Sequence, residues 1–432
     1  VRRILIAGAG QSGLQLALGL QFHGYDVTLM SNRTSEEIRS GRVMSTQCMF
    51  PTALRHEHEL GLAFWAAAAP RIEGVGVSVA EPGPAGGPHR RALDWLGRLG
   101  GCAQSVDQRL KMSGWLDTFA ERGGRLAVHA AAVSDLDALA GHYDLVLVAT
   151  GKGELAELFD RDPAGSPYRV PQRALAVAYV HGLGPRPEHP DTEAVRCNLV
   201  PGAGELFVLP TLTVSGRADV LFWEAVPDGP LDAFQDQPGP GEHLARTLEL
   251  MEHYVPWEYA RATRVELTDA QATLAGRYTP AVRDPVGRLP SGGLVLGVAD
   301  AVVADDPVTG QGANSAAKCA AAYLAAIVRH GERPFDEAWM RAAFAGHWAS
   351  ARHATAWTNA MLAPRQPRHV RELLEAAGRH QPLADRIAAG FDDPAGIADC
   401  FVDARQAAAC VAAMAGEPSG SAAPYDGAAA EP

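Results

Sequence analysis

The six cysteines, at 48, 102, 197, 319, 400 and 410, form no CxxC pair and no dense framework. That pattern excludes a thioredoxin-type redox motif and a zinc ribbon, and predicts free thiols in a cytoplasmic chain with no metal site. No apolar run reaches the roughly 20 residues needed to cross a membrane. There is no excess of positive charge: the net charge is −12, which argues against nucleic acid or an anionic membrane as partner. GxSxG, HExxH and paired catalytic carboxylates are missing too, so nothing points to a hydrolase. No internal repeat is visible. The chain enters a strand at once ("RRILIAG"), so no leader segment is expected.

What remains is a 432-residue chain, 47% hydrophobic and 20% charged, an ordinary globular balance for one large domain or two moderate ones. Its opening, "RRILIAGAGQSGLQLALGLQFHGYDVTLMS", reads as strand, tight turn, helix and strand. Gly8, Gly10 and Gly13 stand at GxGxxG spacing inside this βαβ unit. In such a turn the first glycine permits the bend, the second lets the backbone approach a pyrophosphate, and the third lets helix and sheet pack closely. Gln11 and Ser12 open the helix, whose N-terminus favours a diphosphate. The second strand ends in Ser31, Asn32 and Arg33 rather than the acidic residue that holds a ribose in NAD-binding folds. Asn32 can bond a hydroxyl and Arg33 can contact adenine or a phosphate. The pattern therefore leaves FAD or NADP open.

Further along, "YDLVLVATGKG" and "GGLVLGVAD" read as buried strands, "ALAVAYV", "GELFVLPTLTV" and "ADVLFWEAV" as antiparallel strands, and 80–92 as a loop. A second glycine-rich turn, "DDPVTGQGAN", runs into an alanine-rich helix. A nicotinamide enzyme has no need of this second helix start. A flavin does, because its reduced ring carries negative charge that free N–H groups near Gly310, Ala313 and Asn314 stabilise. Pro307 fixes the turn, Gly310 and Gly312 let backbone lie against a ring, and Val308, Thr309 and Gln311 complete the flavin-side loop. Asp300 stands where a carboxylate accepts bonds from a ribityl chain.

The stretches "GAGQSGLQLALGL", "SGRVMSTQ", "SVDQRL", "YDLVLVATGKG", "VPQRALAV", "GELFVLPTLT", "DPVTGQGAN" and "ARHATAWTN" occur in order over about residues 4–360. Together they resemble the flavoprotein monooxygenases of the para-hydroxybenzoate hydroxylase fold, and within them the styrene and indole monooxygenases. The resemblance implies an α/β (α+β) fold: a Rossmann-like FAD-binding domain (1–75, 95–165 and 285–330), an inserted, mainly antiparallel β substrate domain (76–94 and 166–284) and a helical C-terminal region (331–414). A disordered tail (415–432) is expected from its composition.

The resemblance further implies that reduced FAD, supplied by a separate NAD(P)H-dependent flavin reductase, reacts with O2 to a flavin hydroperoxide. This epoxidises or hydroxylates a small aromatic substrate. It places Arg42 in the cofactor cleft and Arg109 at the FAD phosphate or ribityl side. It puts Ser45, Thr46, Gln47 and Met49 on a loop beside the flavin. Leu209, Pro210 and Thr211, with Phe207, Phe222 and Trp223, are expected to wall the substrate pocket. Gln47 and Met49 depart from the styrene enzymes, which favours a larger or more polar aromatic such as an indole. The pattern of tryptophans in the halogenases of this fold is absent. A homodimer is compatible with the family. The nearest alternatives are a single-component NAD(P)H-dependent aromatic hydroxylase of the same fold and a non-catalytic flavin-binding protein.

Overall fold

The computed structural model describes residues 1–363 and 365–415. Two sheets carry it. The first has six strands, in the order Val286–Arg288, Leu294–Gly297, Leu145–Val148, Arg3–Ala7, Asp26–Ser31 and Arg125–Val128. All pair in parallel except the Val286–Arg288 edge, which forms a hairpin with its neighbour. Helices cover both faces, so the central strands are apolar throughout: Ile4, Leu5, Ile6 and Ala7 are fully buried. The Gln11–Phe22 and Gly312–His330 helices pack together over one face, where Leu14 and Leu18 share a core with Ala316, Ala320 and Tyr323.

The second sheet has eight strands and is antiparallel except where Ile72–Glu81 pairs in parallel with Ala194–Val200. Its long strands alternate. In Gly216–Ala225, Val220 and Phe222 face a core shared with the C-terminal helices, whereas Leu221 and Trp223 face the core under the Pro240–Tyr254 helix. This is the two-residue period of a sheet covered on both sides.

The hairpin Ile72–Glu81 and Arg90–Ala103 belongs wholly to the second sheet. Segment 95–103, expected with the dinucleotide-binding part, therefore lies in the β-rich part, held there by Trp95 and Leu99 packed among the C-terminal helices. The expected loop at 80–92 is the turn of this hairpin, with strand at both ends. The C-terminal region is helical, as the pattern predicts, from Glu337–Met361 to Ala404–Ala415. From 416 on, the expected tail lies outside the described residues. The expectation of free thiols fails at one pair. Cys400 and Cys410 are disulfide-bonded, because the consecutive helices Ala398–Val402 and Ala404–Ala415 fold back and bring their Cα atoms to 6.5 Å. No described helix is long and apolar enough to cross a membrane.

Candidate active site

A cavity of about 1050 Å³ runs from the first glycine turn to the face of the β-rich sheet. At the near end, Gly8 sits at φ +118°, and a Cβ there would lie 2.8 Å from the Ala149 carbonyl oxygen. Only glycine takes that conformation without strain. Gly13 is one turn into the helix, where a Cβ would meet the Gly8 oxygen at 1.9 Å. Gly13 thus fixes the packing of turn on helix and does not line the cavity. Gly10 does, with nothing within 4 Å of an added Cβ. Gln11, Ser12, Asn32 and Arg33 line the same end. Gln11 Oε1 and Arg33 Nε are buried without a partner among the described residues.

Beneath this turn lies a buried polar network. Gln11 Nε2 donates to Gln15 Oε1 at 3.1 Å and to Glu57 Oε1 at 3.3 Å, and Glu57 pairs with the buried Lys111 ammonium. Burial lowers the Lys111 pKa against the opposing pull of Glu57.

Asp300 follows the Leu294–Gly297 strand and lines the middle of the cavity. Gly151 makes room for it, since a Cβ on Gly151 would stand 2.6 Å from the Asp300 Cβ. Surrounding protein raises the Asp300 pKa to about 6, opposed by Lys152 and Arg283. Pro307, Gly310, Gly312 and Ala313 line the cavity from the second turn, with Gly310 at φ +62°.

The other residues of that turn hold it in place. Val308 enters the core, and the Thr309 hydroxyl bonds that of Thr358. Gln311 Nε2 donates to the carbonyl oxygens of Thr309 and Phe391 at 3.1 and 2.9 Å. Asn314 Nδ2 donates to Cys48 O at 2.8 Å and Gly310 O at 3.0 Å, while its Oδ1 accepts from Phe50 N at 2.8 Å.

The far end is mostly apolar. Val177, Val195, Phe207, Leu209 and Phe222 line it from the sheet, and Ser45, Thr46 and Gln47 from the loop before Cys48. Gln47 Nε2 donates to Val106 O at 3.0 Å, and its Oε1 has no partner among the described residues.

Several expected residues lie elsewhere. Arg109 does not line the cavity. It is 2% exposed and fully engaged, with Nε on Asp107 at 2.9 Å and Nη1 and Nη2 on the Asp269 carboxylate at 3.1 and 2.9 Å. Arg42 is exposed and outside the cavity. Met49 packs with Ala53 and Ala317. Pro210 and Thr211 are buried beyond the lining, and Thr211 Oγ1 accepts from Ser105 at 2.8 Å. Trp223 faces away, on the opposite side of its sheet. Conversely, Thr150, Lys152, Arg161, Tyr278, Arg283, Phe391 and Glu224 line the cavity without having been singled out. Three had a visible signal: Thr150 and Lys152 stand in "ATGKG", a glycine turn after a buried strand, and the alternation of "VLFWEA" puts Glu224 on the face of Phe222.

A family model described as "Styrene monooxygenase A putative substrate binding domain" matches residues 151–261. Styrene monooxygenase StyA of a Pseudomonas species is 29% identical over 406 residues, spanning 91% of this chain and 93% of that protein. StyA of Pseudomonas fluorescens is 28% identical over the same lengths. The chain is similar to these styrene monooxygenases over nine-tenths of its length. Among solved structures, the flavin-dependent brominase Bmp2 matches with a TM-score of 0.61 at 15% identity, over 91% of this chain and 96% of that one. The 2-methyl-3-hydroxypyridine-5-carboxylic acid oxygenase matches at 0.58 and 18%, over 89% and 97%. The chain therefore shares the para-hydroxybenzoate hydroxylase-like fold of these structures, its Rossmann-like core and antiparallel sheet included.

Proposed function

We propose that this chain is the oxygenase component of a two-component flavin-dependent monooxygenase. It would receive reduced FAD from a separate NAD(P)H-dependent flavin reductase and, with O2, epoxidise or hydroxylate a small aromatic substrate. One observation carries the reading. A single cavity joins a dinucleotide-type turn, a ribityl-side carboxylate, a second glycine turn and an apolar wall. Similarity to StyA over nine-tenths of the chain supports it.

The residues present fit FAD. Gly10 and the helix start at Gln11 and Ser12 would hold the diphosphate, and Asn32 and Arg33 the adenosine end. The unpartnered Arg33 Nε is a donor waiting for such an acceptor. Asp300 would accept from the ribityl hydroxyls. Backbone at Pro307, Gly310, Gly312 and Ala313 would lie beside the ring, where no Cβ of Gly310 or Gly312 intervenes. Bound and reduced, FAD supplies the activation of O2. The protein's own task is to orient the substrate and exclude water. Phe207, Leu209 and Phe222 do this by offering an apolar floor that a flat ring can cover. Ser45 and Gln47 frame its entrance to the flavin side.

The test supplies purified protein with an unrelated flavin reductase, NADH and FAD, and offers styrene and indole. Styrene oxide or indole oxidation products should form only with the reductase present. NAD(P)H consumed without reductase, with aromatic hydroxylation, would replace this reading by the single-component hydroxylase.

A further inference from the structure

Across the two wall strands, Phe222 stands opposite Phe207, and at the next pair on the same face Glu224 stands opposite Glu205. Glu205 is neutralised: Arg173 Nε donates to its Oε1 at 2.5 Å. Glu224 pairs with no such cation among the described residues. It is 0% exposed, lines the cavity, and neither of its oxygens accepts a hydrogen bond from any donor among the described residues. The group in contact with it is the carboxyl of Asp306, which already accepts from Val308 N at 3.2 Å to cap the second turn.

Two carboxyl groups in contact inside a protein share a proton. Burial, then the charges of Asp306 and Glu205, raise Glu224 well above the ordinary range. Burial raises Asp306 too, with Arg173 and the Val308 N–H pulling it down. Asp306 is the member whose charge is met by a backbone N–H, and Glu224, which receives no donor among the described residues, is the member that keeps the proton. Its O–H donates to Asp306, and its carbonyl oxygen is left with no donor beside Val177, Phe207 and Phe222. A buried acceptor without a donor is unfavourable; those neighbours have none to give, the Tyr278 hydroxyl is spent on Asp305 O, and Arg173 is spent on Glu205 and Gln172 O.

We propose that Glu224 is the specificity-determining acceptor of the substrate pocket, and that the pocket takes a flat aromatic bearing an N–H or O–H donor in preference to a plain aromatic hydrocarbon. For the reaction this rests on the monooxygenase reading; for binding it does not.

The test compares indole with indene, which has the same bicyclic shape and a CH2 in place of the N–H. Their dissociation constants are measured by equilibrium dialysis on the wild type, Glu224→Leu and Glu224→Gln. The wild type should bind indole about 10-fold more tightly than indene, the size of one buried hydrogen bond. Glu224→Leu should bring the two within about 2-fold by weakening indole alone. Glu224→Gln should keep the preference, because its amide copies the protonated acid, with N–H toward Asp306 and C=O toward the cavity. Equal binding of both ligands by the wild type, or parallel weakening of both in Glu224→Leu, overturns the assignment. Reductase-coupled turnover is scored separately. An indole preference without any oxygenation supports Glu224 as the acceptor and overturns the monooxygenase reading.

Discussion

The two glycine turns look alike as sequence and are built in opposite ways. The first is held by steric contact of backbone on backbone. Gly13 touches the Gly8 carbonyl, and Gly8 occupies a conformation closed to other residues. The second is held by side chains. Asn314, Gln311 and Thr309 each bond it to a different part of the fold and Asp306 caps it from within, while Gly310 and Gly312 face open space. Glycine is thus a packing requirement in one turn and a source of room in the other. The first should fail when atoms are added and the second when hydrogen bonds are removed.

The largest effect is expected beneath the first turn. Lys111→Met leaves Glu57 buried without its cation and should cost about 3–5 kcal/mol in urea unfolding. Gly13→Ala drives a methyl into the Gly8 oxygen and should cost about 3 kcal/mol, with loss of FAD binding by titration. For the second turn, Asn314→Ala strands Phe50 N, Cys48 O and Gly310 O, and about 2 kcal/mol should be lost in the same melts.

A pH experiment isolates the tie between this turn and the sheet. An unfolded glutamate releases its proton near pH 4.3, whereas burial and the charges of Asp306 and Glu205 make folded Glu224 retain it, opposed by Arg173. Above the unfolded value the folded state binds the extra proton, so stability should fall with rising pH by about 1.4 kcal/mol per unit. The fall ends once pH passes the folded value. Glu224→Gln cannot titrate and should lack that slope, so its stability relative to the wild type should grow between pH 5 and pH 7. Identical slopes would mean that Glu224 is ionised in the fold. The smallest effect is Gly312→Ala, which should gain about 0.5 kcal/mol yet weaken binding of reduced FAD by filling cleft space. Unchanged affinity would remove this residue from the ring's surroundings.

How much of this was legible in the sequence follows from the same contrast. Gly8, Gly10, Asp300 and Gly310 lie where local pattern put them, because a strand, a turn and a helix start are decided within a few residues. Arg109 could not be read that way. Its carboxylate partner Asp269 is 160 residues distant, and a charged side chain declares its partner only once the chain has folded. Pro210 and Thr211 show a smaller version of the problem. The strand was legible, but the length of it that reaches the cavity depends on what packs across it. Alternation alone puts Glu224 on the cavity face, but a glutamate amid apolar residues gives no sign of its side chain's neighbours.

The strand order of the first sheet has a consequence for synthesis. Leu145–Val148 gains its outer neighbour only from Leu294–Gly297, after the whole β-rich part has been made. At about 5–20 residues per second, the ribosome takes roughly 8 to 30 s to cover that distance. For that interval a fully apolar strand presents unpaired backbone groups to its surroundings, the kind of edge to which other chains add. Yield in a host cell should therefore depend on chaperone supply during translation more than on the stability of the finished protein.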